Sequence, residues 1–233
     1  MADFYLPRNV YFCSKGESLI FLDLTADRYV KLHGSQAEDF RRLCACVNTS
    51  EMATEHSVEL ANNIDTFLTS GLLTTDKAAG KPLTPTEFAL PDSVLVSSVA
   101  DQSVRIRPLQ VFRFFISCSI AAARLRFGTI EGTVRAIEKR KRSRVAQHVI
   151  DTKRAREVVS VFNRLRALFP ATYLCLFDSL ALIEFLARHD LFPTWVFGVQ
   201  FEPWAAHCWV QAESIAFNEG VEEAEDYIPI MTI

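Results

Sequence analysis

The sequence predicts an α+β protein in two parts: a small unit of strands then helices, and a larger unit of helices then strands. Three observations carry this. Short apolar runs open the chain and a 3.6-residue periodicity follows them; a Pro/Thr-rich stretch at 78–92 interrupts it; beyond that, helical periodicity comes first and alternating strands last. With 233 residues the chain can hold one large core or two small ones. A hydrophobic fraction of 49% excludes a disordered chain.

In the first part, Val10–Cys13, Ser18–Asp23 and Arg28–Leu32 read as strands, with Leu24–Asp27 as a hairpin connection. Gly34 ends them, and Ser35 with Glu38 has capping-box spacing. The helix that follows carries Ala37, Phe40, Leu43 and Cys44 on one face. A second helix spaces Val58, Leu60, Ala61, Ile64, Phe67 and Leu68 at helical intervals and closes at Gly71. Residues 81–91 are expected to be a linker between domains at 1–80 and 92–233.

Beyond the linker, Leu109–Phe127 is apolar nearly all round and is expected in a core. Ile130–His148 reads as a basic helix. Asp151–Phe169 has a capping Asp151 and sets Val158, Val161, Phe162, Leu165 and Leu168 on one side, and Pro170 stops it. A helix over Leu174–Arg188 precedes strands at Thr194–Phe201, Ala206–Gln211 and Ile215–Asn218, with a turn near Glu213-Ser214.

The formal net charge of −3 is unevenly spread. Residues 1–80 hold 7 basic and 11 acidic side chains, 124–166 hold 13 and 4, and 201–233 hold 7 acidic side chains and no Lys or Arg. The basic middle is expected to face an acidic partner or the chain's own acidic end, with a solvated helix as the plainer reading for any single residue. Met1-Ala2-Asp3-Phe4 lacks the features of a signal peptide, which points to a cytoplasmic protein. Leu109–Ala123 carries Arg113 and falls short of the roughly 20 residues a bilayer needs. The 6 cysteines show no CxxC pair, so they are expected to stay reduced, and no metal site is expected.

Chemistry concentrates late in the chain. Cys175 opens a predicted helix, where free N–H groups and the positive dipole end favour a thiolate. His207 sits in a following strand and can serve as its base. Asn218 and Glu219, at the end of the next strand, are alternative acceptors for the imidazole. Cys208 alternates to the opposite face from His207 and reads as a buried neighbour, while Trp209 shares the His207 face. Taken alone, such a Cys and His are more often core residues.

The run Cys175-Leu176-Phe177-Asp178-Ser179-Leu180-Ala181-Leu182, with Val196–Val199, Ala206–Val210, Phe217-Asn218-Glu219 and the closing Tyr227–Ile230, resembles the leader peptidase (B protein) of lasso-peptide biosynthesis. The resemblance implies a transglutaminase-like, papain-related fold and a Cys-His-acid triad of Cys175, His207 and Glu219. Glu219 stands where the family usually carries Asp. Separately, Phe21–Leu24, Tyr29–Leu32 and Gly71–Leu73 resemble the PqqD-like recognition domain, winged-helix-like with three strands and three helices. The two resemblances together imply recognition and cleavage on one chain.

They further imply that the leader of a lasso precursor adds a strand at Arg28, Tyr29, Val30, Lys31 and Leu32, beside a groove walled by Ile64, Phe67 and Leu68. The implied partners are that precursor and an asparagine-synthetase-like lasso cyclase; no cofactor is required. Nucleic acid is disfavoured by the acidic balance of residues 1–80. A non-catalytic leader-binding adaptor and an acyltransferase on the same fold remain open as alternatives.

Overall fold

Residues 3–49, 58–95, 105–143, 150–171 and 174–233 are described in the computed structural model, which divides into units Met1–Glu87 and Phe88–Ile233. In unit 1 the apolar runs pair as β2 (Val10–Lys15), β3 (Ser18–Asp23) and β4 (Arg28–Leu32), an antiparallel sheet in the order β2-β3-β4. Lys15 lies opposite Ser18, so Gly16-Glu17 makes a two-residue turn, and Gly16 supplies its positive φ of 55°. At the second hairpin the buried Asp23 carboxylate accepts from the Thr25 and Ala26 N–H groups at 3.0 and 3.1 Å. Before this sheet lies β1 (Leu6–Pro7), paired with β5 (Gly80–Lys81).

Helices α1 (Ser35–Thr49) and α2 (Val58–Thr69) complete the unit. Phe12, Phe21, Phe40 and Phe67 form its centre, with ring centroids 4.8 to 5.5 Å apart along the cluster. Burying each ring stabilises the unit by roughly 1.5–3 kcal/mol. The expected capping box is not formed. Ser35 lies inside the helix, Gly34 O accepts the Glu38 N–H, and the Glu38 carboxylate takes Arg42 Nη2 at 2.5 Å. At the end of α2, Gly71 (φ 77°) gives the expected close: Leu72 N–H donates to Phe67 O at 2.9 Å. The described residues of unit 1 hold two helices, where the resemblance implied three; the Val58 side chain lies outside them.

The segment expected as a linker is packed on both sides of residue 87. Leu83 is buried in unit 1, and Thr86 N–H donates to Phe12 O at 3.1 Å. Phe88 and Leu90 pack on Val196, Trp209 and Ala224 of unit 2.

Unit 2 contains β6 (Ser93–Val94), α3 (Pro108–Phe127), α4 (Ile130–Arg142), α5 (Thr152–Arg166), α6 (Cys175–Ala187), β7 (Thr194–Gln200), β8 (Ala205–Ala212), β9 (Ile215–Ala216), α7 (Val221–Glu225) and β10 (Ile228–Thr232). Its sheet runs β10-β7-β8-β9-β6, antiparallel except where β6 meets β9. Against this sheet packs α6, buried from Phe177 almost without a break to Leu186, Ser179 and Glu184 included. That makes α6 the central helix.

The expectation of a core position for α3 is corrected. Phe114, Cys118 and Ala121 are buried, but Leu109, Phe112 and Phe127 are 56%, 64% and 85% exposed. An all-round apolar helix needs cover on all sides, and α3 has its main contacts with α6. Leu168 is exposed too, because α5 ends at Arg166.

The basic helix α4 uses its charge within the helical layer. Arg135 and Arg142 pair with Glu131 and Glu138 one turn away, exposed links worth little. Arg140 and Arg124 converge on the carboxylate of Glu184, 1% exposed, at 2.8 and 2.7 Å. Lys141 Nζ donates to Ile233 O at 3.1 Å. Arg140 thus pairs with Glu184 and not with the acidic side chains at 201–233; Arg144 and His148 lie outside the described residues.

Candidate active site

Cys175 is the first residue of α6. Leu174 before it is extended, and the first bond of the helix runs from Asp178 N–H to Leu174 O at 2.9 Å. The N–H groups of Cys175, Leu176 and Phe177 therefore have no acceptor within the helix and point out of its positive end. A buried arginine fixes this start. Arg166 binds Asp178 in the first turn of α6, donates to Phe169 O and Ala171 O at 3.2 and 3.3 Å, and lies 5.0 Å over the Phe177 ring.

His207 projects from β8 opposite Gly198 of β7. The glycine is required there: a Cβ would stand 2.8 Å from the Trp209 ring and 2.9 Å from Tyr227 Cβ. Those two rings flank the imidazole, with centroids 6.1 and 5.0 Å away. Trp209 is itself held by Gln211, which accepts from its indole N–H at 2.9 Å and donates to Ala89 O at 2.9 Å. His207 Nε2 hydrogen-bonds the Glu219 carboxylate, and the ring also hydrogen-bonds the Cys175 thiol. With Nε2 on Glu219, Nδ1 is left for Cys175.

The choice between Asn218 and Glu219 follows from how β9 ends. Ala212 lies opposite Ile215, so Glu213-Ser214 is a two-residue turn with Glu213 at φ 51°. In a continued ladder that register would set Asn218 opposite Trp209, on the face of His207. The strand instead stops at Ala216. Phe217 N–H still donates to Val210 O at 2.9 Å, but the returning Val210 N–H is taken by the Asn218 side-chain oxygen at 2.8 Å. Asn218 thus substitutes for a backbone acceptor, and the chain turns so that Glu219 reaches His207.

The electrostatics follow from these contacts. Hydrogen bonds from the Cys208 side chain and from His207, helped by the histidine charge, hold the Cys175 thiol down to about 4 against the effect of burial. Burial would lower His207, but its bonds to Cys175 and Glu219 and their negative charges lift it to about 9. Between those values the pair is a thiolate and an imidazolium. Cys13, Cys44 and Cys118 are all pushed up to about 12 by burial. His189 is lowered to about 4 by burial, with Arg113 and Arg154 nearby, and stays neutral.

Residues 118–232 match the transglutaminase-like superfamily. The C-terminal part of the chain is therefore a transglutaminase-like domain, and the match spans Cys175, His207 and Glu219. Comparison with curated proteins and with solved structures finds no match.

In unit 1 the residues singled out for peptide binding separate into two kinds. Arg28, Tyr29 and Lys31 lie at the surface of β4; Arg28 donates to Ser70 O at 2.9 Å and lies 3.7 Å from Asp23. Val30, Ile64 and Leu68 are half-buried against the core. Leu32 and Phe67 are core residues, 6% and 1% exposed, and offer no wall to an open groove. Phe67 fails as a groove residue because its ring is stacked edge-on against Phe40.

Sequence reasoning missed Arg166, Gly198 and the ring of Tyr227 as parts of the site. For Gly198 the available signal was a glycine inside a strand otherwise rich in β-branched and aromatic residues, and for Tyr227 its place in the family-like closing run. Among the described residues no group of three His, Cys, Asp or Glu side chains is arranged to hold a metal. Among them, too, no helix is long and apolar enough to cross a membrane.

Proposed function

We propose that the chain is a cysteine peptidase that removes the leader segment of a ribosomally made lasso-peptide precursor. The observation that supports the chemistry best is the contact of a helix-start thiolate with an imidazole that is itself bound to a carboxylate. Cys175 attacks the scissile carbonyl carbon, and the oxyanion faces the N–H groups at the start of α6. His207 gives its proton to the leaving amine, which departs, leaving a thioester on Cys175. A water then loses a proton to His207 and attacks the thioester, restoring the thiolate-imidazolium pair. Glu219 stays ionised throughout and stabilises the imidazolium.

The substrate reading rests on the resemblance to lasso leader peptidases and to the PqqD-like recognition unit. Leader binding by strand addition at Arg28–Leu32 would hold the precursor through its backbone, with Val30, Ile64 and Leu68 as apolar contacts. Mass spectrometry of a lasso precursor incubated with the protein and its asparagine-synthetase-like cyclase tests this. The expected result is one cut at the leader-core junction, lost in Cys175→Ala while leader binding persists. Transfer of the acyl group to an added amine in preference to water would favour the acyltransferase. Leader binding with no cut by the intact protein would favour the adaptor.

A further inference from the structure

Two thiols meet at the start of α6. Cys208 follows His207 on β8, its side chain on the opposite face, and it is 2% exposed. Its Sγ lies 3.2 Å from Ser179 Oγ. Ser179 stands one turn beyond Cys175, donates to the Cys175 carbonyl at 2.6 Å and accepts from the Trp195 indole N–H at 2.8 Å. This network sets the Cys208 sulfur in the first turn of α6, and both its side chain and its backbone N–H hydrogen-bond the Cys175 thiol. In the cleavage steps above Cys208 acts only as a hydrogen-bond donor that helps hold Cys175 as a thiolate; none of those steps makes or breaks a bond at its sulfur.

We propose that Cys175 and Cys208 are a redox couple, in which a peroxide oxidises Cys175 and the adjoining Cys208 thiol closes a reversible disulfide. The Cys175 thiolate attacks one peroxide oxygen, the O–O bond breaks, hydroxide leaves, and Cys175 becomes a sulfenic acid. The sulfur loses two electrons and the peroxide gains them. Cys208 then gives up its proton and its sulfur attacks Cys175 Sγ; the S–S bond forms, the S–O bond breaks, and the oxygen departs as water. One thiolate, one thiol and one hydrogen peroxide yield one disulfide, one water and one hydroxide.

The order of events follows from exposure. Cys175 is half-buried and open to a small oxidant, whereas Cys208 is closed off and reacts only through its neighbour. With the disulfide closed the nucleophile is withdrawn; with a thiol reductant it returns. Without Cys208, the sulfenic acid would advance to sulfinic acid, which thiols do not reverse.

This inference rests on Cys175 as the reactive nucleophile of the proposed function, but its test needs no substrate. The reduced full-length protein is treated with hydrogen peroxide, blocked with N-ethylmaleimide, digested, and mapped with and without dithiothreitol. The expected product is the Cys175 peptide joined to the Cys208 peptide, with alkylation of both lost and then restored by dithiothreitol. In Cys208→Ser and Cys208→Ala the same treatment should send Cys175 to sulfinic acid, with alkylation not restored. Wild-type protein that accumulates Cys175 sulfinic acid with no linked peptide overturns the inference, as does a link from Cys175 to any other cysteine. The wild-type map decides even if a variant fails to fold. A Cys175 no more reactive than the buried cysteines before oxidation would instead count against the proposed nucleophile.

Discussion

Replacing Glu219 tests the orienting acceptor most directly. The rise of His207 from 6.5 to about 9 corresponds to about 3 kcal/mol of preference for the imidazolium. Two anions, Cys175 and Glu219, supply that preference against the cost of burial. Removing one forfeits about half of their joint effect while the cost of burial remains, so Glu219→Ala should lower the proton affinity of His207 by about tenfold or more. Carboxymethylation of Cys175 by iodoacetate reports this without a substrate, because the anionic reagent needs the thiolate and is drawn by the imidazolium. In the native protein the rate should be high between an acid limb near 4, where the thiol protonates, and an alkaline limb near 9, where the imidazole becomes neutral. Glu219→Ala should shift the alkaline limb downward, and Glu219→Asp should recover part of that shift. Asn218→Ala should leave both limbs in place and lower thermal stability instead, because the Val210 N–H loses its acceptor, at about 1–3 kcal/mol. An unmoved alkaline limb in Glu219→Ala, or a larger shift in Asn218→Ala, would refute the assignment.

Gly198→Ala places a methyl group against Trp209 and Tyr227, so it should destabilise by about 1–3 kcal/mol in thermal melts and slow Cys175 alkylation by displacing His207. Glu184→Ala strips the buried carboxylate from Arg124 and Arg140 and should cost about 3–5 kcal/mol by denaturant unfolding, with the alkylation limbs of the folded protein unchanged. A fragment of residues 1–87, checked for folding by circular dichroism, should bind a fluorescently labelled leader. Lys31→Glu should weaken that binding less than a polar substitution at Val30, because strand addition draws its affinity from backbone bonds and half-buried contacts.

What the sequence by itself determined is local. The strands of unit 1, α5 with its Asp151 cap, and α6 starting at Cys175 follow from periodicity, turn residues and the proline at 170, interactions spanning a few residues. Local pattern marked Cys175 and His207 only as candidates, which taken alone are more often core residues; the family resemblance is what singled them out as a pair. Tertiary structure decided the rest. That Glu219 and not Asn218 meets His207 depends on where β9 leaves the ladder, and Asn218 there replaces a carbonyl contributed by no periodic pattern. Phe67 is core and Phe112 is exposed although both are helical phenylalanines, because burial is set by what packs alongside and not by the residue's own hydrophobicity. Arg166 and Asp178, twelve residues apart on different helices, become the clamp beneath Cys175 only when α5 and α6 pack together. A single sequence carries no trace of such a pair, since neither side chain alone departs from what a solvated helix would hold.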